Sequence, residues 1–222
     1  MSEPYLIEVE LRRDLVPSFD RYPFNLPAVV SLDRLPVHPA ITFFAGERGS
    51  GISALLEGIA DALGLKATRP SQSTLHEYLT LQRGPNVPRD GLFLRDGQVH
   101  GEAYLALVMN QFGGEGLYLV DEPEAALSPM RQMSLVTLLH RLVKAGSQIM
   151  ITTNSPILLA YPDSVIYQFA PDLVTRVAYE DTEHYTVTKD FLHRHRAMLR
   201  ILLENDDAGH DRPVSIFDED IL

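Results

Sequence analysis

One stretch of the chain joins an apolar run, three closely spaced glycines and a second apolar run. Residues 41–46 are apolar and rich in β-branched and aromatic side chains, which is typical of a buried strand. Glycines follow at positions 46, 49 and 51, and residues 54–63 then place apolar side chains at helical spacing. The stretch therefore predicts a strand, a tight glycine-rich turn, and a helix that begins at Ser53 and ends near Gly64.

A strand, a glycine-rich turn and a helix in this order form the setting in which backbone N–H groups wrap a phosphate. The matching sequence template is G-x-x-x-x-G-K-[S/T], and Gly46, Gly51 and Ser53 fit it. The template lysine is absent, because position 52 is Ile52. That lysine acts as a point charge toward phosphate oxygens, and a charge-assisted contact is worth about 1.5–3 kcal/mol. The sequence predicts a phosphate loop without its cation; the alternative is a turn that no longer meets a phosphate.

Composition limits the partners of the chain. It has 222 residues, enough for one domain with a sizeable core, and a formal net charge of -11, which disfavours non-specific binding to nucleic acids. It contains no cysteine, so disulfides, thiolate metal sites and a cysteine nucleophile are excluded. No apolar run approaches the length of a membrane span or resembles a signal peptide, and we expect a cytoplasmic protein.

The remaining pattern alternates strands and helices, which predicts an α/β fold with a largely parallel sheet. Two continuous apolar runs, 116–121 and 148–153, are typical of fully buried strands. A helix is predicted from Pro129 to Lys144, with Ser128 at its N-cap. Further strands are predicted at 5–11, 29–35, 75–82, 164–169 and 174–179, and further helices at 102–112 and 189–203.

Four stretches together resemble ABC-type P-loop ATPases, and more narrowly the small "AAA family" predicted ATPases related to SMC-like and DNA-repair ATPases. They are residues 46–51, 117–129 (Leu-Tyr-Leu-Val-Asp-Glu-Pro-Glu-Ala-Ala-Leu-Ser-Pro), 151–162 and 179–185. The resemblance implies a P-loop NTPase fold of the ABC type, with a mostly parallel central sheet, flanking helices and an antiparallel N-terminal β part. It also implies one domain over residues 1–204, with a shortened helical arm at 95–101, and an acidic, flexible tail at 205–222.

The resemblance further implies a role for each matching residue, with ATP and Mg²⁺ as ligands. Asp121 and Ser53 would hold Mg²⁺, and Glu122 would polarise the attacking water. Asn154 stands at the switch histidine, and Val99 begins the signature that contacts the γ-phosphate across a dimer. The residues that would bind the phosphates are Gly46, Gly49, Ser50, Gly51, Ile52 and Ser53. The residues that could stack on adenine are Tyr22 and Phe24, and the D-loop corresponds to 127–129.

Three departures from the family pattern surround a single γ-phosphate. Ile52 replaces lysine, Val99 replaces the signature serine, and Asn154 replaces histidine. Because catalysis in this mechanism is positioning plus charge stabilisation, the losses predict weak or lost binding and hydrolysis of ATP. The predicted function is a degenerate ATPase, a pseudo-ATPase that acts as a regulatory or scaffolding subunit, as a homodimer or with a partner protein.

Two alternatives remain open at the level of sequence. The first is a repurposed catalyst, in which the former nucleotide cleft binds another small molecule and Glu122, Asn154, His100 or Ser53 carries out new chemistry. The second is an ATP-binding protein with residual hydrolysis. The structural alternative to a catalytic role is that Asp121 and Glu122 are relic carboxylates that cap nearby backbone, and that His100 is a surface or packing residue.

Overall fold

The computed structural model describes residues 3–67, 73–94, 102–171 and 173–207. The chain divides between Tyr179 and Glu180 into two compact units. Whether residues 1–204 act as one domain stays a prediction.

The first unit contains two sheets. Its strands are β1 (Leu6–Leu11), β2 (Arg34–Pro36), β3 (Ile41–Gly46), β4 (Lys66–Ala67), β5 (Leu79–Arg83), β6 (Asp90–Leu94), β7 (Gly116–Asp121), β8 (Gln148–Thr152), β9 (Ser164–Ala170) and β10 (Leu173–Val177). Its helices are α1 (Pro27–Val30), α2 (Ile52–Leu63), α3 (Glu102–Gln111), α4 (Pro129–Lys144) and α5 (Pro156–Leu159). The seven-stranded sheet has the order β10-β9-β3-β8-β7-β6-β4, and all its pairings are parallel except β10 with β9. The three-stranded sheet, β2-β1-β5, is antiparallel. The predicted fold class, including the antiparallel N-terminal part, is confirmed.

The central sheet is buried on both faces because its strands alternate between two apolar clusters. In β3, Phe43 packs in the cluster that contains residues of α3 and α4, and Phe44 packs in the cluster that contains residues of α2 and the antiparallel sheet. Strand β7 repeats the pattern, with Tyr118 on the first side and Leu119 on the second. All six residues of β7 are buried, as its continuous apolar run predicts.

The side-chain amide of Gln148 connects the two sheets. Its Oε1 accepts hydrogen bonds from the backbone N–H groups of Tyr5 (3.0 Å) and Leu6 (2.9 Å). Its Nε2 donates to the carbonyls of Leu6 (2.8 Å) and His38 (2.9 Å). Since Gln148 is only 1% exposed, these bonds satisfy a polar group that would otherwise be costly to bury.

Two predicted strands are partly wrong. The predicted strand 29–35 overlaps the observed strand Arg34–Pro36 only at its last two residues. Helix α1 begins instead at Pro27, a residue favoured in the first helical turn, and buries Val29. Of the predicted strand 75–82, Leu75–Tyr78 is a 3₁₀ turn and the strand begins at Leu79. In both cases the packing of a short helical turn outweighs local β propensity.

The second unit contains the helix α6 (Glu183–Asp207), which confirms and extends the predicted helix 189–203. Arg194 interrupts its helical geometry with φ -123° and ψ 21°. Within the described part of the chain, no helix is long and apolar enough to cross a membrane.

Candidate functional site

The site lies where three adjacent parallel strands end. Strand β8 lies between β3 and β7, and Thr152 pairs with Phe44 on one side and with Asp121 on the other. The residues that follow these positions, including Gly46, Glu122 and Asn154, therefore extend from one edge of the sheet. This edge, at the carboxyl ends of the strands, is where open α/β sheets bind their ligands.

The loop between β3 and α2 contains two glycines in a left-handed backbone conformation. Gly49 and Gly51 have φ values of +92° and +88°, a left-handed conformation that favours glycine. A Cβ added to Gly51 would come within 2.6 Å of the Leu26 Cβ, so a side chain is excluded there for a second reason. The N–H of Ala28 donates to the carbonyl of Ser50 at 2.8 Å, which fixes the loop against α1.

Ile52 occupies the lysine position and opens helix α2. Its side chain is 7% exposed and belongs to the apolar cluster on the α2 side of the sheet, although it also lines the cleft described below. Its Cδ1 lies 2.9 Å from where a Cβ on Gly46 would stand. The residue is therefore a packing element of the loop and places no charge in it.

Thr152 links the two acidic residues at the end of β7. Its hydroxyl donates to Oδ1 of Asp121 at 2.6 Å and accepts from the N–H of Glu122 at 2.9 Å. Asp121 is 7% exposed, whereas the side chain of Glu122 is 20% exposed. Glu122 has φ 41°, a left-handed conformation that costs energy for a residue other than glycine and often marks a functional site.

The side-chain oxygen and the backbone N–H of Asn154 both form hydrogen bonds within the protein. Its side-chain Oδ1 accepts a hydrogen bond from the N–H of Gly46 at 3.3 Å. Its own N–H donates to Oε1 of Glu124 at 2.6 Å. Burial raises the pKa of the Glu124 carboxyl, and the hydrogen bond from Asn154 opposes that rise. Asn154 therefore ties the end of β3 to the segment after β7.

Glu124 is the site residue that the sequence analysis missed. It lies in the quoted stretch 117–129, two residues after Glu122. Its spacing alone does not distinguish a buried carboxylate from an exposed one. Only the hydrogen bond from the N–H of Asn154, 30 positions away in sequence, shows that the Glu124 carboxylate takes part in the site.

A cleft of about 430 Å³ follows the loop and reaches Glu122 and Asn154. Tyr22 lines it and is 64% exposed, whereas Phe24 is 4% exposed and packs edge-on against Tyr78 at 4.7 Å. Arg48 also lines the cleft, and its guanidinium lies 3.4 Å from Oε2 of Glu122.

The predicted phosphate-binding residues Gly46, Gly49, Ser50, Gly51, Ile52 and Ser53 all line this cleft, as do Glu122 and Asn154. Two predicted site residues, Val99 and His100, lie outside the described residues, as does the predicted arm at 95–101. The described residues hold no group of three His, Cys, Asp or Glu side chains that could bind a metal on its own. Ser53 and Asp121 offer hard oxygen donors, which fit Mg²⁺ where a bound phosphate supplies further oxygens.

The sheet order, the loop and the cleft at the strand ends define an ABC-type P-loop ATPase fold. No protein-family model matches the chain, and no curated protein matches it. Among solved structures, the chain is similar to cbiO1 from Clostridium perfringens, described as part of the ABC transporter complex cbiONQ. The TM-score is 0.50 and the identity 14%, over 88% of this chain and 98% of that chain. At this identity the likeness shows the fold alone.

Proposed function

We propose that the chain is a pseudo-ATPase of the ABC type, which binds nucleotide weakly and acts as a regulatory or scaffolding subunit. The observation that carries the proposal is Ile52, whose side chain packs in the core where the phosphate loop requires a lysine. Loss of that charge-assisted contact lowers affinity for MgATP by about ten- to a hundredfold. The solved protein of similar fold is part of a complex, and association with a partner protein or a second copy belongs to the same proposal.

The remaining groups still suit a phosphate. The backbone N–H groups at Gly49 and Gly51 and the N-terminus of α2 would cradle it, and Ser53 and Asp121 would hold Mg²⁺ beside it. When bound, Mg²⁺ would neutralise phosphate charge. The exposed ring of Tyr22 would stack on the adenine, a role for which Phe24 is too deeply buried.

Hydrolysis is the step that this site supports poorly. Glu122 would orient the attacking water, but its carboxylate lies beside the Arg48 guanidinium. Asn154 carries no cation, and its side-chain oxygen accepts from Gly46. Because positioning and charge supply nearly all of phosphoryl-transfer catalysis, we expect turnover close to background.

The test is titration calorimetry with MgATP, together with an assay of phosphate release. We expect a dissociation constant in the high micromolar range or weaker and no release that depends on Glu122. The matched pair is Glu122→Gln and Glu47→Gln, since both carboxylates line the cleft. Low-micromolar binding, or phosphate release that only Glu122→Gln abolishes, would contradict the proposal.

Assembly supplies an independent measurement. In ABC-type domains the signature of one subunit contacts the nucleotide of the other, and Val99 removes a donor from that contact. We therefore expect light scattering to give the same mass with and without MgATP. A mass that doubles only with nucleotide would contradict the proposal.

A second candidate function is a repurposed catalyst, and the size of the cleft favours it. A volume of about 430 Å³ is within the range of small-molecule sites. In that case a non-ATPase activity should fall on Glu122→Ala, and also on Ile52→Lys, which would place a charge in an apolar environment. An activity unaffected by both changes would exclude this cleft as its site.

A further inference from the structure

Arg48 is the one basic side chain among the described residues that line the cleft. It belongs to the phosphate loop itself, between Glu47 and Gly49. Its side chain is 80% exposed, and its only near partner of opposite charge that the structure describes is Oε2 of Glu122, at 3.4 Å. The guanidinium thus pairs with a carboxylate that also lines the cleft.

The carboxylates that line the cleft repel an anionic ligand as long as the Arg48 guanidinium stays paired with Glu122. Two carboxylates, those of Glu47 and Glu122, line the cleft together with a single guanidinium, and that guanidinium pairs with Glu122. An exposed ion pair contributes little, up to about fivefold in an equilibrium constant. A guanidinium that meets phosphate oxygens with two parallel hydrogen bonds contributes more, about ten- to a hundredfold. Exchange of the Glu122 carboxylate for a phosphate is therefore favourable.

We propose that Arg48 is the cation that binds the phosphate chain in place of the missing lysine, and that Glu122 is the internal counter-ion that the ligand displaces. This inference rests on the proposed function, because it names the residue responsible for the weak binding. It assigns Glu122 a second effect: its carboxylate lowers the affinity of the cleft by competing for Arg48. The ligand class is a diphosphate or longer chain, from a nucleotide or as free polyphosphate.

The experiment is a double-mutant cycle with ADP and with pyrophosphate, neither of which carries a γ-phosphate that the ATPase reaction could transfer. The variants are Arg48→Ala, Glu122→Gln and the double variant, followed by phosphorus NMR titration, which measures millimolar dissociation constants. Arg48→Ala should weaken binding about tenfold, the loss of one charge-assisted contact. Glu122→Gln should strengthen it about threefold, and this gain should disappear in the Arg48→Ala background, because neighbouring residues couple in such cycles.

Two further variants test whether the effect comes from the charge of Arg48 in the cleft or from the loss of any exposed arginine. Arg48→Lys should recover part of the affinity, since the ammonium keeps the charge but not the planar fork. Arg34→Ala is the matched control, because Arg34 makes a comparable ion pair with Glu10, also at 3.4 Å, on the antiparallel sheet. It should leave the binding of both ligands unchanged.

The outcomes discriminate between the inference and the proposed function. If both ligands bind the wild type, loss of affinity for both in Arg48→Ala supports the inference, and loss for ADP with unchanged pyrophosphate binding overturns it. If only ADP binds the wild type and Arg48→Ala weakens it, the result supports the inference and assigns a nucleotide as the source of the phosphate chain. Equal binding by wild type and Arg48→Ala, or no binding by wild type and Glu122→Gln, would overturn the inference while leaving the pseudo-ATPase proposal standing. Robust phosphate release by wild type would instead overturn the proposed function, whatever the cycle shows.

Discussion

Replacement of Ile52 by lysine restores the missing charge and removes a packed side chain. Burying an isoleucine contributes about 1.5–3 kcal/mol, and Ile52 is only 7% exposed. A lysine would keep part of this, because its methylene stem can pack while its ammonium reaches the cleft. We therefore expect Ile52→Lys to lower the free energy of unfolding by about 1–2 kcal/mol, or about 2–8 °C in Tm for a chain of this size.

The same change should improve MgATP binding without restoring the enzyme. The new ammonium would add a charge-assisted contact to the phosphates, worth about ten- to a hundredfold in affinity. Hydrolysis should stay near background, because Asn154 still uses its oxygen on Gly46 and Val99 still lacks a donor. Groups that stabilise one transition state are strongly non-additive, so mending one of several losses recovers little rate.

The assay combines thermal unfolding, titration calorimetry with MgATP and steady-state phosphate release. Ile52→Met is the control, since it changes the shape of the side chain but adds no charge. Its affinity for MgATP should stay at the wild-type level. A robust, Glu122-dependent ATPase from the single change Ile52→Lys would show that the rest of the site is intact, and the account of a collectively degraded site would be wrong.

Three further predictions concern single side chains. Gln148→Leu should destabilise the fold by about 3–5 kcal/mol, because it strands several buried backbone groups, whereas the exposed control Gln82→Leu should shift a urea midpoint little. Burial raises the pKa of the Glu124 carboxyl, so the folded state favours its protonated form, and the free energy of unfolding should fall as the pH rises from the ordinary pKa of 4.5 through the folded pKa. Urea titrations at several pH values should show this fall in wild type but not in Glu124→Gln. The same dependence on pH in both proteins would refute the prediction. Tyr22→Ala should weaken ADP binding but not pyrophosphate binding, as a stacking role requires, and equal losses for both ligands in the NMR titration would exclude that role.

Local features of the sequence determined much of the fold. The strand 41–46, the buried strand 116–121 and the helix from Pro129 to Lys144 agree with the structure within a residue. These elements carry continuous apolar runs or a proline at the first helical position, which act over a few neighbouring residues. The exceptions have the same cause: Val29 and Leu75 lie in short helical turns that form because of what they pack against.

The composition of the candidate site was also accessible from sequence, since its glycines and Ser53 lie close together in the chain, between positions 46 and 53. The absence of a lysine at Ile52 required no structure at all. The sequence pattern did not determine whether the Ile52 side chain is buried. Its burial depends on side chains from other elements, such as Phe169 beside Gly46.

Only the tertiary structure decided which distant groups meet. It placed β8 between β3 and β7, which brings Asn154 to Gly46 and Thr152 to Asp121. It also brought Arg48 to Glu122, 74 positions apart, although nothing in either local sequence marks the pair. The physical reason is that hydrophobic periodicity reports which face of an element is buried, whereas strand order and the packing of loops are set by the whole core, and they alone decide which charges share the cleft.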